Sequence, residues 1–285
     1  MKDLLLDAVT VIAPLSVAVV VLAQGLSISP SQVIAYFRER RGLMLRSLLA
    51  QLVLVPAVAL VVILVLKPVL AVAVALAILV SCPPAPLMIV SAPGRAGAHL
   101  AFMASLRLSL AAVAVVTVPA VLFALSVPLG FRADVDPGSL TWVLGQSILL
   151  PIGAGLVLRA LAPTLADRIG PVLGRVGMLG VIAVLPVLLL AFYPALASMD
   201  GWSYAVISVV SITALAVGHL FGPPDPNEKT ALAIECGVRH PTLALTIGAA
   251  NVGTDRAMPV LVPCLLTFVA IATVYLVLRR RSLAV

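Results

Sequence analysis

Long apolar runs separated by short polar joints fill this chain. Nine such segments can be drawn, at about 4–25, 44–66, 68–92, 98–126, 139–162, 172–198, 203–222, 228–252 and 258–279. Each holds about 20 residues or more, the length a helix needs to cross a hydrocarbon layer. The joints are short and carry turn chemistry, as in Asp134-Val135-Asp136-Pro137-Gly138 and Gly222-Pro223-Pro224-Asp225-Pro226-Asn227. The pattern predicts an all-α polytopic membrane protein with nine transmembrane helices. The first run follows Lys2, but Asp3 and Asp7 spoil the basic flank of a cleavable signal. The run to Leu22 is also long for one. It is read as a first span.

Composition narrows the classes. Hydrophobic residues make up 62% and charged residues 10%, and mean hydropathy is +1.23. A soluble domain carries about 25% charged residues, so a water-soluble fold is excluded. Disordered, collagen-like and disulfide-scaffold readings fail as well, and no segment is long enough for a soluble domain. The cysteines Cys82, Cys236 and Cys264 lie in apolar stretches without metal-site spacing.

The net charge is +7. In a membrane protein such an excess orients the chain, so it implies no nucleic-acid partner. One side of the nine-span arrangement collects Arg38, Arg40, Arg41, Arg46, Arg95, Arg159, Arg168, Arg175, Lys229, Arg279, Arg280 and Arg281. The other collects Lys2, Lys67, Arg132 and Arg256. The rich side is expected in the cytoplasm, with the N-terminus outside and the C-terminus inside. The expected location is a bacterial inner membrane.

Two segments are interrupted. The third carries Ser81-Cys82-Pro83-Pro84-Ala85-Pro86, and the eighth carries Glu235-Cys236-Gly237-Val238-Arg239-His240-Pro241. Proline lacks the N–H of the helical ladder, and Pro241 would free the carbonyl of Gly237. Such backbone survives at membrane depth only where protein or a wet cavity satisfies it. The breaks are five spans apart and therefore cross in opposite directions. That is the pattern of inverted repeats whose discontinuous helices meet at the midplane, where transporters place substrate and ions. Pro83, Pro84, Pro86, Gly237 and Pro241 are the crossover backbone.

The same regions hold the deep charges. Arg107, Glu235 and Arg239 fall inside apolar segments, where ionisable groups are costly and mark function by default. Arg239 follows Glu235 by four residues, in pairing range on an intact helix. Arg107 comes from the fourth span. Two readings stand, a structural ion pair and a binding centre for an ion or anionic substrate, and the backbone breaks favour the second. The three charges sum to +1, which a bound anion would offset, helped by half-helix N-termini. Carbonyl ends of half-helices or water are the other way to offset it.

Other polar residues add candidates. His240 either relays protons with Glu235 or hydrogen-bonds freed carbonyls. Gln51 and Asn251 are further site candidates. Ser105, Ser109, Gln146, Ser147, Thr242 and Thr246 read as interhelical glue. Gly153, Gly155, Gly174, Gly177 and Gly180 read as close-packing positions. Cys82 and Cys236 flank the breaks. They are either small apolar fillers or thiolates for a soft metalloid.

At these residues the chain resembles the bile acid:sodium symporter family, within a larger group that includes arsenite efflux carriers. Gln24-Gly25-Leu26-Ser27-Ile28-Ser29-Pro30 is similar to the family's Met-Gly-Leu-Thr-Leu-Thr run. Ser81-Cys82-Pro83-Pro84 resembles its Ser-Cys-Cys-Pro-Gly-Gly crossover. Ala231-Leu232-Ala233-Ile234-Glu235-Cys236-Gly237-Val238 resembles the approach to the second crossover, and Ala249-Ala250-Asn251-Val252-Gly253 resembles the tail Ala-Ala-Asn-Phe-Gly. The resemblance implies one transporter unit over 1–285. It has a core part (about 44–126 and 203–285), a panel part (about 4–25 and 139–198), and nine helices because the first of ten is absent. It also implies alternating access for a small organic anion coupled to two sodium ions. The sequence itself offers no metal-ligand set and no nucleophile with a base beside it, so no enzymatic activity is expected.

The family's sodium ligands are where the sequence departs. By position, Glu235 and Gln51 keep their identities. The Ser-Asn pair falls on Ile89 and Val90, and the next Ser and Thr fall on Met103 and Arg107. The Gln-Asn-Ser-Gly motif falls on Arg239, His240, Pro241 and Thr242. Sodium needs oxygen ligands, and arginine offers none. The expectation is an organic-anion carrier in which Arg107 and Arg239 replace sodium, with no cofactor. Transport would be driven by protons, exchange or the substrate gradient. A remnant sodium site at Gln51 and Glu235 is a close variant. Metalloid efflux through Cys82 and Cys236, and a non-transporting receptor or structural protein, are the other readings.

Overall fold

The protein is described here from a computed structural model that covers residues 2–84 and 96–284, with side chains at 11–36, 38–84, 102–279 and 281. Pro86, Ile89, Val90 and Arg95 lie outside the described residues. Helices come in the order α1 (Lys2–Leu26), α2 (Pro30–Glu39), α3 (Arg41–Leu49), α4 (Val55–Leu66), α5 (Leu70–Ser81), α6 (Ala96–Leu129) and α7 (Pro137–Leu144). They continue with α8 (Leu150–Leu161), α9 (Pro163–Ala191), α10 (Tyr193–Ser198), α11 (Gly201–Phe221), α12 (Pro226–Gly237), α13 (Pro241–Val252) and α14 (Thr254–Ala284).

Among the described residues six stretches are long and apolar enough to span a membrane: Arg41–Leu66, Phe102–Leu129, Pro137–Leu161, Pro163–Ala191, Gly201–Phe221 and Thr254–Arg279. Val11–Leu26 with Pro30–Tyr36 makes a seventh if their 84° bend falls within one span. The predicted nine therefore compares with six or seven by this measure. The difference lies in the third and eighth segments. There α5, α12 and α13 have 12 residues each, about 18 Å of rise and short of a bilayer core.

Local sequence explains the ends and bends. Ser29 caps α2 by accepting a hydrogen bond from the Gln32 amide, while Gln32 Oε1 accepts one from the Ser29 amide at 2.9 Å. Pro30 occupies the first turn, and the residue before a proline avoids helical geometry, so α1 cannot run straight into α2. Helix α2 falls between the first and second apolar segments because only half of its residues are apolar. The sixth span begins nine residues before the expected 172, since Pro163–Pro171 is helical but mixed in polarity.

Two π-helical turns, Ala50–Leu54 and Gly145–Leu149, precede Pro56 and Pro151. In each the amide of the next residue reaches five back, Val55 to Ala50 and Leu150 to Gly145. A proline cannot donate and crowds the carbonyl four residues before it, and the wider turn relieves both problems. Gln51 lies in the first of these turns, buried.

Helix α1 packs chiefly on α8 and α9, and α11 packs on α12, α14 and α4. Gly25 and Gly155 bring α1 and α8 into backbone contact. A Cβ on Gly155 would come 2.5 Å from the Leu22 carbonyl oxygen, and one on Gly25 would come 2.5 Å from that of Ile152. Gly177 and Gly180 play the same part between α9 and α1, against Val20 and Ser16. Gly153 meets nothing within 4 Å, so the close-packing expectation fails there because it lies off the contact face.

Candidate functional site

The two interrupted segments meet through their backbones. Helix α5 stops at Ser81, and Cys82 turns extended at φ −73°, ψ 144°. Helix α12 stops at Gly237, where a Cβ would strike the Leu215 side chain of α11 at 2.5 Å. Val238 and His240 are then extended before Pro241 starts α13. The His240 amide donates to the Pro83 carbonyl at 2.9 Å, and Pro84 and Arg239 form an isolated antiparallel bridge. Backbone groups without a helical partner thus find one in the other segment.

Beside this crossing lie the deep charges. Arg107 of α6 is 2% exposed and Glu235 of α12 is 1% exposed. Arg107 Nε donates to Glu235 Oε2 at 3.2 Å, and its NH2 group donates to Oε1. The pair is bidentate, the strongest geometry for these ions. Arg107 NH1 donates to Gln24 Oε1 of α1. One guanidinium therefore joins α6, α12 and α1.

Arg239 is placed differently from the sequence expectation. It does not pair with Glu235, because α12 ends at Gly237 and the helical spacing of four residues is lost. Its NH1 donates to Gln51 Oε1 at 3.1 Å and to the Cys82 carbonyl at 3.2 Å. Among the described residues no carboxylate is in ion-pair range of it. Its Nε and NH2 are buried with no hydrogen-bond partner, and so is Gln51 Nε2. The pair of Arg107 and Glu235 is neutral, so the cluster's +1 resides on Arg239.

His240 is fully buried and caps α13. Its Nδ1 accepts from the Leu243 amide at 3.3 Å, and its Nε2 has no partner. No hydrogen bond joins it to Glu235 among the described residues, and the ring receives a backbone N–H instead of binding freed carbonyls. Asn251 lies at the far end of α13, about 16 Å along the helix from His240. It clamps the loop before α7, accepting from the Asp134 amide at 2.7 Å and donating to the Asp134 carbonyl at 2.6 Å. The structure thus gathers Glu235, Arg107, Arg239, Gln51 and His240 at the crossing and leaves Asn251 out. Cys82 and Cys236 are both buried there as thiols.

Sequence reasoning missed Gln24 as a partner of Arg107. A glutamine inside an apolar helix was the available signal. A second missed cluster ties α2 to α12, where Tyr36 donates to Glu228 at 3.2 Å and Arg40 to the same carboxylate at 3.3 Å.

Compared with known families, residues 14–196 match the model of the Sodium Bile acid symporter family. That stretch includes Gln24, Gln51 and Arg107 and ends before Glu235 and Arg239. A search of curated proteins finds no match.

Proposed function

Because the chain belongs to the sodium bile acid symporter family, we propose that it moves a small organic anion across the membrane by alternating access, without coupling to sodium. It is an integral membrane protein and a membrane transporter of the bile acid symporter kind. The finer reading concerns substrate, coupling and mechanism. We take α5 and the pair α12 and α13 as parts of two crossing discontinuous helices, in nine spans formed by inverted repeats. The core is about 44–126 and 203–285 and the panel about 4–25 and 139–198. The tight packing of α1 on α8 and α9 supports that division. The charge count of the loops supports an N-terminus outside and a C-terminus in the cytoplasm of a bacterial inner membrane.

One observation carries the loss of sodium coupling: both carboxylate oxygens of Glu235 are taken by Arg107. The Gln51 oxygen is likewise taken by Arg239. Each side-chain oxygen that would ligate a sodium ion at Gln51 and Glu235 therefore already accepts from an arginine, and two positive guanidinium groups repel a further cation. These residues do not fit a sodium ion. The fixed arginines supply the positive charge that two sodium ions would bring. Their excess over Glu235 favours an anion near the crossing.

Alternating access requires core and panel to part. In this arrangement the bond from Arg107 to Gln24 links α6 to α1 and must break during the cycle. The test is counterflow of labelled carboxylates and sulfonates in proteoliposomes, with sodium replaced by choline. The expected result is flux well above empty liposomes for at least one organic anion, equal in both cations. Flux that requires sodium, or flux equal to empty liposomes for every anion, overturns the proposal.

A further inference from the structure

Arg239 lines a small, partly open cavity between the π-helical turn Ala50–Leu54, α4, α5 and α6, together with Gln51, Ser81, Cys82, Pro84 and Thr117. The cavity offers about 10 Å³ to the centre of a water molecule, room for about one water or one monatomic ion. Arg239 and Gln51 are each 2% exposed. We propose that this cavity binds a small monovalent inorganic anion of chloride size, held by Arg239 and Gln51.

Two observations converge on an anion. The partnerless polar atoms of these two side chains are Arg239 Nε, Arg239 NH2 and Gln51 Nε2, and all are donors. A donor left unsatisfied in a buried site is costly, and an anion accepts from several donors at once. The guanidinium is charged, and its hydrogen-bond acceptors, the Gln51 and Cys82 carbonyl oxygens, are neutral. The carbonyl end of α5 offsets some of this charge, about half an elementary charge at most. A water would accept from the same donors, but it brings two O–H groups of its own and no charge.

Size then selects the class of anion. The volume of about 10 Å³ holds one monatomic ion but not a whole organic carboxylate, so the proposed occupant is distinct from the transported substrate. Gln51, which the family resemblance makes a cation ligand, here orients an arginine. The ion at this position has inverted sign. The inference shares with the transport reading only the charge count at the crossing.

The test is thermal unfolding of the purified protein in detergent at fixed potassium and ionic strength, with chloride exchanged for gluconate. Chloride is expected to raise Tm saturably, by about 5 °C when it far exceeds its dissociation constant. Arg239→Gln is expected to abolish the chloride effect, and Arg239→Lys to retain part of it. If Arg239→Gln does not fold, Gln51→Leu keeps the cation and is expected to weaken chloride binding at least tenfold. Equal Tm in chloride and gluconate overturns the proposal. So does a chloride effect unchanged in both Arg239→Gln and Gln51→Leu. A chloride shift with no organic-anion flux would sink the transport reading and leave this one standing.

Discussion

Arg107 and Glu235 face each other across two buried hydrogen bonds, and the arginine's third branch reaches Gln24 of a different helix. Removing one partner strands the other. Glu235→Gln leaves the Arg107 charge without an anion and is expected to cost about 3–5 kcal/mol. That corresponds to a fall in Tm of about 10 °C in detergent. A variant as stable as the parent would show that the pair is hydrated rather than buried.

Gln24 ties α1 to this pair through one oxygen. Gln24→Leu keeps the volume and removes the acceptor, leaving an Arg107 N–H unsatisfied at a cost of about 1–3 kcal/mol. The loss should be absent when Arg107 is already Thr. A double-mutant cycle on Tm measures this, and additive effects would contradict the contact.

The contact of α1 with α8 depends on having no side chain at two positions. Gly155→Leu must push a Cβ into the Leu22 carbonyl, 2.5 Å away, and a backbone atom cannot swing aside. The folded yield after size exclusion should collapse. Gly153→Leu, with nothing within 4 Å of its Cβ, should leave it unchanged, and equal losses at both positions would refute the packing.

Asp200 caps α11 just ahead of the spanning stretch Gly201–Phe221, accepting from the Ser203 hydroxyl at 2.7 Å and the Ser203 amide at 2.9 Å. These bonds hold its carboxyl below the ordinary value of 3.8. A depressed folded-state pKa contributes stability that is complete above the unfolded value and lost as pH falls through the folded one. Asp200→Asn keeps a capping side chain that does not titrate. Its Tm should fall less steeply than the parent's between about pH 5 and pH 2.5. Parallel curves would contradict the assignment.

The sequence exposes some of this and hides the rest for identifiable reasons. The breaks at Pro83-Pro84 and Gly237–Pro241, and the charges Arg107, Glu235 and Arg239, stand out because prolines and ions are conspicuous in apolar helices. Partnership is not conspicuous. The spacing of Glu235 and Arg239 suggests a pair only while the helix continues, and it ends at Gly237. Gln24 lies 83 residues from Arg107, so no local pattern joins them. Asn251 reads as an intramembrane polar group, but it serves the loop at Asp134. Helix α2 escapes a hydropathy reading because it is held by a capping box and a bend, not by apolar length.

Restoring oxygen ligands tests the replacement of sodium by arginine. In Arg107→Thr with Arg239→Gln, Glu235 becomes a buried carboxylate without a cation. Sodium is expected to stabilise this double variant by several degrees more than choline does. Indifference to sodium would remove the argument that the arginines stand in its place.

The most direct measurement is the Tm of the unaltered protein in detergent, in sodium against choline at equal ionic strength and fixed chloride. A ligand that binds only the folded state raises Tm by mass action. Because Arg107 and Arg239 already occupy the Glu235 and Gln51 oxygens, equal Tm in the two salts is predicted. A saturable, sodium-specific rise would mean that a sodium site survives and that the account is wrong.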